Sequence, residues 1–306
     1  MVRRMVGRRH DKSAFFKYYT ANSAKLTLRN GSRKWSTPPM FNDPFDNQFD
    51  LYLEEISEDV IDQNVDQLIS ILKSSEPFKP GQFGSRTPIM EWFRQVHQLH
   101  PTFEYSEEEK AELREGAIEG MGRAAAINPE INAEIRTIMA DTTIFCVSET
   151  DGNLLMWSHY ADNHRGAVVK FLPLIEVASP LLIAQPVRYT NQMPRLSYSR
   201  LMNLAELREF VLDQITLTKS SVWSYEKEWR IVASLRDKTQ QYEILSYAPE
   251  EVGAVYLGCR MADSDKAEII DITRSKYPKA QILQAEQNDK EYALVFRDIS
   301  GTSEQG

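Results

Sequence analysis

The amino-acid sequence predicts an α+β fold in which a mixed, largely antiparallel sheet forms the core and a helical insertion interrupts it. Three observations predict this. Strand-like segments cluster at the start of the chain and again after Asp141 instead of alternating with helices, apolar residues recur at helical spacing between the two clusters, and 42% apolar residues in 306 is ample for a sizeable core. The core is therefore assigned to residues 1–53 and 141–300, the insertion to 54–140, and residues 301–306 to a flexible tail.

The elements follow in order. "FFKYYT" and "KLTL" are rich in aromatic and β-branched residues and read as strands, with the turn signal "NGS" leading to a third strand, "RKWST". From Glu54 the period changes, and Val60, Ile61, Val65, Leu68, Ile69 and Leu72 recur as on one helical face. Thr87 as N-cap and Pro88 open a second helix, striped by Ile89, Trp92, Phe93, Val96 and Leu99. Ser106 with Glu109 forms a capping box for a third, and Asn128 with Pro129 opens a fourth. After Asp141, "TIFCVSE", "GAVVKF", "LIAQPVRY", "EWRIVAS", "YEILSY", "GAVYLGC", "AQILQAE" and "YALVFRDI" read as strands. Helices are expected over "NLLMWSHYAD", "LMNLAELREFVLDQI" and "SDKAEIIDITRSKY", the last capped by Ser264.

Composition limits the function. A net charge of −8 and a pI near 5.3 argue against general nucleic-acid or membrane-surface binding, which needs a basic footprint. The start, "MVRRMVGRRHDK", is basic but lacks the apolar run of a secretory signal, and no stretch reaches the length of a membrane-spanning helix. Cys146 and Cys259 both lie in apolar runs and read as buried free thiols, so the chain reads as cytoplasmic. His97, His100, His159 and His164 fall in no metal-ligand pattern, and no metal is assigned.

Four stretches are dense enough to carry chemistry. In "YEKEWRIV" a strand would place Glu226, Glu228 and Arg230 on one face and Trp229 and Ile231 on the other, with Arg230 holding a glutamate ionised. The bland alternative is a surface ion-pair ladder, against which Trp223, Tyr225 and Trp229 argue. In "FCVSETDGNLLMWSHYADNHRGAVVKF", Ser148 ends a strand facing a short helix that presents Met156, Trp157 and Tyr160 on a near-common face. "FNDPFD" is an Asx-type turn with Phe41 and Phe45 pinning it to the core, in which Asn42, Asp43 or Asp46 lines a pocket or simply shapes the loop. In "FFKYYT", Lys17 and Tyr19 alternate with Phe16 and Tyr18.

Taken in order, "FFKYYT", "FNDPFD", "FCVSE", "LLMWSHYADNHRGAVVKF", "VRY" and "KSSVWSYEKEWRI" resemble the bacterial family catalogued as domain of unknown function 2971. The paired glutamates entering a strand are also similar, more distantly, to the catalytic segment of ADP-ribosyltransferases, which cleave the nicotinamide bond of NAD. That resemblance implies an ADP-ribosyltransferase-like sheet and NAD as substrate. It implies Glu228 as the catalytic glutamate, Glu226 as its companion, Ser148 or Tyr160 at the middle position and Lys17 at the early one. There the family has Arg or His, and Arg29 and Arg33 are the other residues that would take that part. Tyr19, Asn42, Asp43, Trp157 and Arg230 complete the nucleotide-contacting set. Two other classes remain open: a non-catalytic ligand-binding or sensor module, toxin-like or defence-related by analogy, and a magnesium-dependent nuclease using Asp43, Asp46, Glu149, Glu226 and Glu228. The insertion is expected to cover the pocket or bind a protein partner.

Overall fold

The computed structural model describes residues 10–48, 50, 52–78, 87–126, 128–197 and 213–301. The chain forms two compact units, one made of residues 1–47, 139–191 and 217–306, the other of 48–138 and 192–216. The second unit thus begins six residues before the position read from sequence and takes in 192–216 as well. The tail beyond Gly301 and most of the helix expected over 201–215 lie outside the described residues, although 213–216 are helical.

The first unit is built on a ten-stranded sheet. Its strands are β1 (Phe15–Tyr19), β2 (Ser32–Ser36), β4 (Thr142–Ser148), β5 (Ala167–Phe171), β6 (Gln185–Pro186), β10 (Glu228–Ser234), β11 (Tyr242–Ser246), β12 (Val252–Leu257), β13 (Gln281–Gln287) and β14 (Leu294–Asp298). All pairs are antiparallel except β12 with β13, so the sheet is mixed and mostly antiparallel, as expected. Strands β7 (Arg188–Thr190) and β9 (Thr218–Ser220) form a separate parallel pair. Helices α1 (Ala21–Asn30), α6 (Leu154–His159) and α7 (Asp263–Lys276) complete the unit.

Each face of the sheet buries its own core. Phe15, Trp35, Phe145, Val147, Val169, Phe171, Trp229 and Ile231 lie on one face, joined by Leu28 of α1 and Ile269 of α7. Tyr18, Val168, Ala254 and Tyr256 lie on the other, under Met156 and Trp157 of α6. Trp229 and Ile231 therefore point as the alternation in "EWRIV" requires.

In the second unit, α2 (Glu58–Lys73), α3 (Thr87–Leu99), α4 (Glu107–Ala126) and α5 (Asn128–Ala140) follow the predicted pattern, with the short parallel pair β3 (Tyr52–Leu53) and β8 (Arg195–Leu196) beside them. Ile61 and Met121 pack between α2 and α4. The Ser106 capping box is present: the Ser106 N–H donates to Glu109 Oε2 at 2.8 Å and the Glu109 N–H to Ser106 Oγ at 3.2 Å. No helix among the described residues is long and apolar enough to cross a membrane.

Several local expectations are corrected. "KLTL" is not a strand but the second half of α1, whose Thr20 N-cap accepts from Ser23 N–H and whose buried residues Ala24, Thr27 and Leu28 stand at helical spacing. "NGS" is accordingly a helix C-cap: Gly31, at φ +59°, ends α1 in the left-handed region. Ser264 lies inside α7, whose N-cap is Ala262, without a side-chain cap. "LIAQPVRY" is broken into a 3-10 turn (Pro180–Ile183) and the short β6 and β7, as Pro186 removes a ladder donor. Cys146 and Cys259 are free, but half-buried. Phe45 is 66% exposed and does not pin its loop.

Candidate functional site

The site arises from a fork in the sheet. β4 pairs along one whole edge with β10, from Glu228 against Ser148 to Ser234 against Thr142. Its other edge is shared, because β1 joins at Ser148 through Phe16 and β2 joins at Ile144 through Ser36. β1 and β2 diverge from there, and a cavity of about 370 Å³ opens along the fork. It is lined by Phe16, Lys17 and Tyr18 of β1, Lys34 and Ser36 of β2, and Ile144, Cys146, Val147 and Ser148 of β4. Met40, Phe41, Asn42 and Asp46 of the following loop, Met156, His159 and Tyr160, and Lys219, Glu226 and Glu228 close it.

The wall formed by Lys219, Glu226 and Glu228 is a buried ionic network. Glu226 does not lie in the strand, as the alternation in "YEKEW" would have it; it ends a 3-10 segment (Ser221–Glu226), and Lys227 at φ 44°, ψ 52° re-aims the chain before β10 begins at Glu228. The two carboxylates converge nonetheless. Lys219 Nζ donates to Glu226 Oε2 at 2.5 Å and to Glu228 Oε2 at 2.9 Å. Arg230, on the same face of β10, donates from Nε to Glu228 Oε1 at 2.8 Å and from Nη2 to Glu228 Oε2 at 3.1 Å and Asp46 Oδ2 at 2.7 Å. Tyr160 Oη donates to Glu226 Oε1 at 2.5 Å, and the Glu228 N–H donates to Tyr189 Oη at 2.8 Å. Two cations thus face three carboxylates, all five at most 7% exposed.

The surplus negative charge falls unevenly. Burial alone would raise the Glu228 carboxyl, but Arg230 and then Lys219 hold it well below the usual carboxylate range. Burial raises Glu226, Lys219 opposes that only in part, and the neighbouring Glu228 pushes it further up. Lys219 is raised because the attraction of Glu228, Asp46 and Glu226 outweighs its desolvation, and Tyr160 is raised by burial and by Glu226. Within one network, Glu228 is fixed as an anion while Glu226 holds a proton more readily than an ordinary carboxylate.

The structure brings Lys17, Asn42, Ser148, Tyr160, Glu226 and Glu228 onto this one cavity, with Arg230 bracing Glu228 from behind. It does not bring Tyr19, Asp43 or Trp157 there. Tyr19 packs against the core on the opposite face. Asp43 accepts from the Phe45 N–H at 2.9 Å and from Trp223 Nε1 at 2.7 Å, so it shapes the turn. Trp157 is fully buried, donating from Nε1 to the Asp151 carbonyl and packed edge-on to Tyr18 in the core cluster it shares with Met156. Ser148 reaches the cavity with its hydroxyl already donating to the Glu226 carbonyl at 2.6 Å. Arg29 is paired with Glu268 at the surface, and Arg33 with Glu251 on the far side of the sheet, which leaves Lys17 alone at the early position.

Sequence reasoning missed Lys219 and Lys34. The signal for Lys219 was a lysine inside "ITLTKSS", among residues whose neighbours Leu217 and Thr218 are buried; a buried lysine demands carboxylate partners. Lys34 carries no comparable signal.

A family model described as Protein of unknown function (DUF2971) matches residues 156–231, the stretch that supplies Tyr160, Lys219, Glu226, Glu228 and Arg230. No curated protein and no solved structure matches the chain.

Proposed function

We propose that the protein acts on the N-glycosidic bond of NAD, as an ADP-ribosyltransferase or NAD glycohydrolase. The observation that carries this reading is the Glu226–Glu228 pair, two carboxylates on one cavity wall with opposed proton affinities, which is how acid and base roles are divided between like groups. As the bond from the ribose C1′ to the nicotinamide nitrogen breaks, its electrons go to the departing ring and positive charge builds on the ribose. An anionic Glu228 beside that ribose stabilises the charge. The attacking water or acceptor hydroxyl gives its proton to Glu226, whose raised affinity makes it a better base than an ordinary carboxylate. Lys219 and Arg230 are positioning residues, since they fix where Glu228 points.

A metal-dependent nuclease fits less well. The space between Asp46, Glu226 and Glu228 holds the Lys219 ammonium, within 3.4 Å of all three, and no group of His, Cys, Asp or Glu among the described residues is arranged to take a metal ion. One observation favours a binding module instead: both oxygens of Glu226 and of Glu228 already accept hydrogen bonds within the protein. That reading expects NAD to bind without turnover.

The test is nicotinamide release from NAD by the purified protein and by Glu228→Gln. The substitution leaves two carboxylates facing two cations but sets an amide NH2 against a cationic donor, so the variant's melting temperature is measured alongside, and release by the folded variant is expected to fall at least about 100-fold. An NAD-induced rise in melting temperature with no release by the wild type would replace the enzyme with the binding module. Full activity in the variant would remove Glu228 from the reaction.

A further inference from the structure

Four cations line or brace the cavity, and they fall into two kinds. Lys219 and Arg230 are bound up with carboxylates. Lys17 and Lys34 have no carboxylate partner among the described residues; each ammonium rests instead over a ring, Lys17 Nζ 5.3 Å from the Phe145 centroid and Lys34 Nζ 4.6 Å from that of Tyr242. A ring holds an ammonium in place without neutralising it. The acidic chain has surplus carboxylates, yet among the described residues none pairs with these two lysines.

Their placement is equally specific. Lys17 comes from β1 and Lys34 from β2, the two arms of the fork, and both line the one cavity. Ser36 follows Lys34 on the same face of β2, and Asn42 lines the cavity from the next loop, adding an uncharged hydroxyl and amide. A group with acceptor oxygens in several directions around one centre can meet donors from both arms at once.

We infer that Lys17 and Lys34 form a phosphate subsite in the fork, with Ser36 and Asn42 as its neutral donors, so that the ligand enters as a phosphate or pyrophosphate ester. This deepens the reading above by assigning the part of a nucleotide substrate that binds away from Glu226 and Glu228, but the binding it describes needs no reaction.

The experiment is calorimetric titration of the full chain with inorganic pyrophosphate, ADP-ribose and adenosine, for the wild type, Lys17→Ala, Lys34→Ala and the control Lys279→Ala, an exposed lysine away from the cavity. Pyrophosphate and ADP-ribose are expected to bind and adenosine to bind far more weakly. Lys17→Ala and Lys34→Ala should each weaken ADP-ribose at least about tenfold, a loss that shrinks in high salt. Lys279→Ala should match the wild type. Unchanged affinity in both cavity variants, or no binding of either phosphate compound, overturns the inference. Lysine-dependent binding of ADP-ribose without any nicotinamide release from NAD upholds the subsite and removes the reaction. Release from NAD at the wild-type rate and KM in both lysine variants does the reverse.

Discussion

Lys219 and Glu226 show how far single charges decide this site. Removing a cation from a buried network leaves its carboxylates uncompensated, so Lys219→Met, with three carboxylates then facing Arg230 alone, is expected to lose about 3–5 kcal/mol in urea unfolding; a loss below about 1 kcal/mol would mean the network is solvated. Glu226→Gln acts oppositely, because it removes the surplus anion and its amide can still serve both Lys219 and Tyr160. The pH dependence follows from the signs. Glu228, held low, contributes stability that is present above the ordinary carboxylate value of about 4.3 and lost as pH falls through its depressed one. Glu226, held high, contributes stability present below the ordinary value and lost as pH rises through its raised one. Relative to the wild type, Glu226→Gln should therefore gain stability as pH rises from the ordinary value of about 4.3 towards neutrality. A difference constant over that range would refute the raised affinity. The glutamates were legible in sequence because two carboxylates beside Trp229 are conspicuous; their convergence was not, since it depends on the left-handed Lys227 and on a lysine from another strand.

At the scale of elements, the strands were read well and α1 was not. Strand positions such as "AVVKF" declare themselves because both faces of the sheet are covered and the segment is apolar except for the half-buried Lys170. "KLTL" offers the same residue types, but Thr20 and Gly31 cap the segment at either end, and those caps outweigh four residues of strand propensity. Gly31→Ala tests this. An added Cβ meets nothing nearer than Tyr277 Oη at 3.8 Å, so its cost is conformational, about 1 kcal/mol from the positive φ. Gly31→Asn, which tolerates that region better, should melt between Gly31→Ala and the wild type. Equal melting temperatures for all three would mean that the left-handed cap is not needed.

For the molecule as a whole, fold class and the helical character of the insertion followed from pattern alone, because periodicity reports which face each element buries. The fork did not, for no local period says that β1 and β2 share one edge of β4. The fork is also where Lys17 and Lys34, without a carboxylate partner among the described residues, line one cavity, so a ligand seated there ought to act on a limited part of the fold. Hydrogen exchange tests this directly. With saturating ADP-ribose, amides of β1, β2, residues 41–46 and the start of β10 are expected to exchange several-fold more slowly, since the ligand would tie the two arms to β4 and lower the frequency of local opening. Strands β13 and β14, at the far side of β12, should be unaffected. Protection spread evenly over all strands would indicate global stabilisation without a seat in the fork, and protection confined to β13 and β14 would place the ligand elsewhere on the sheet.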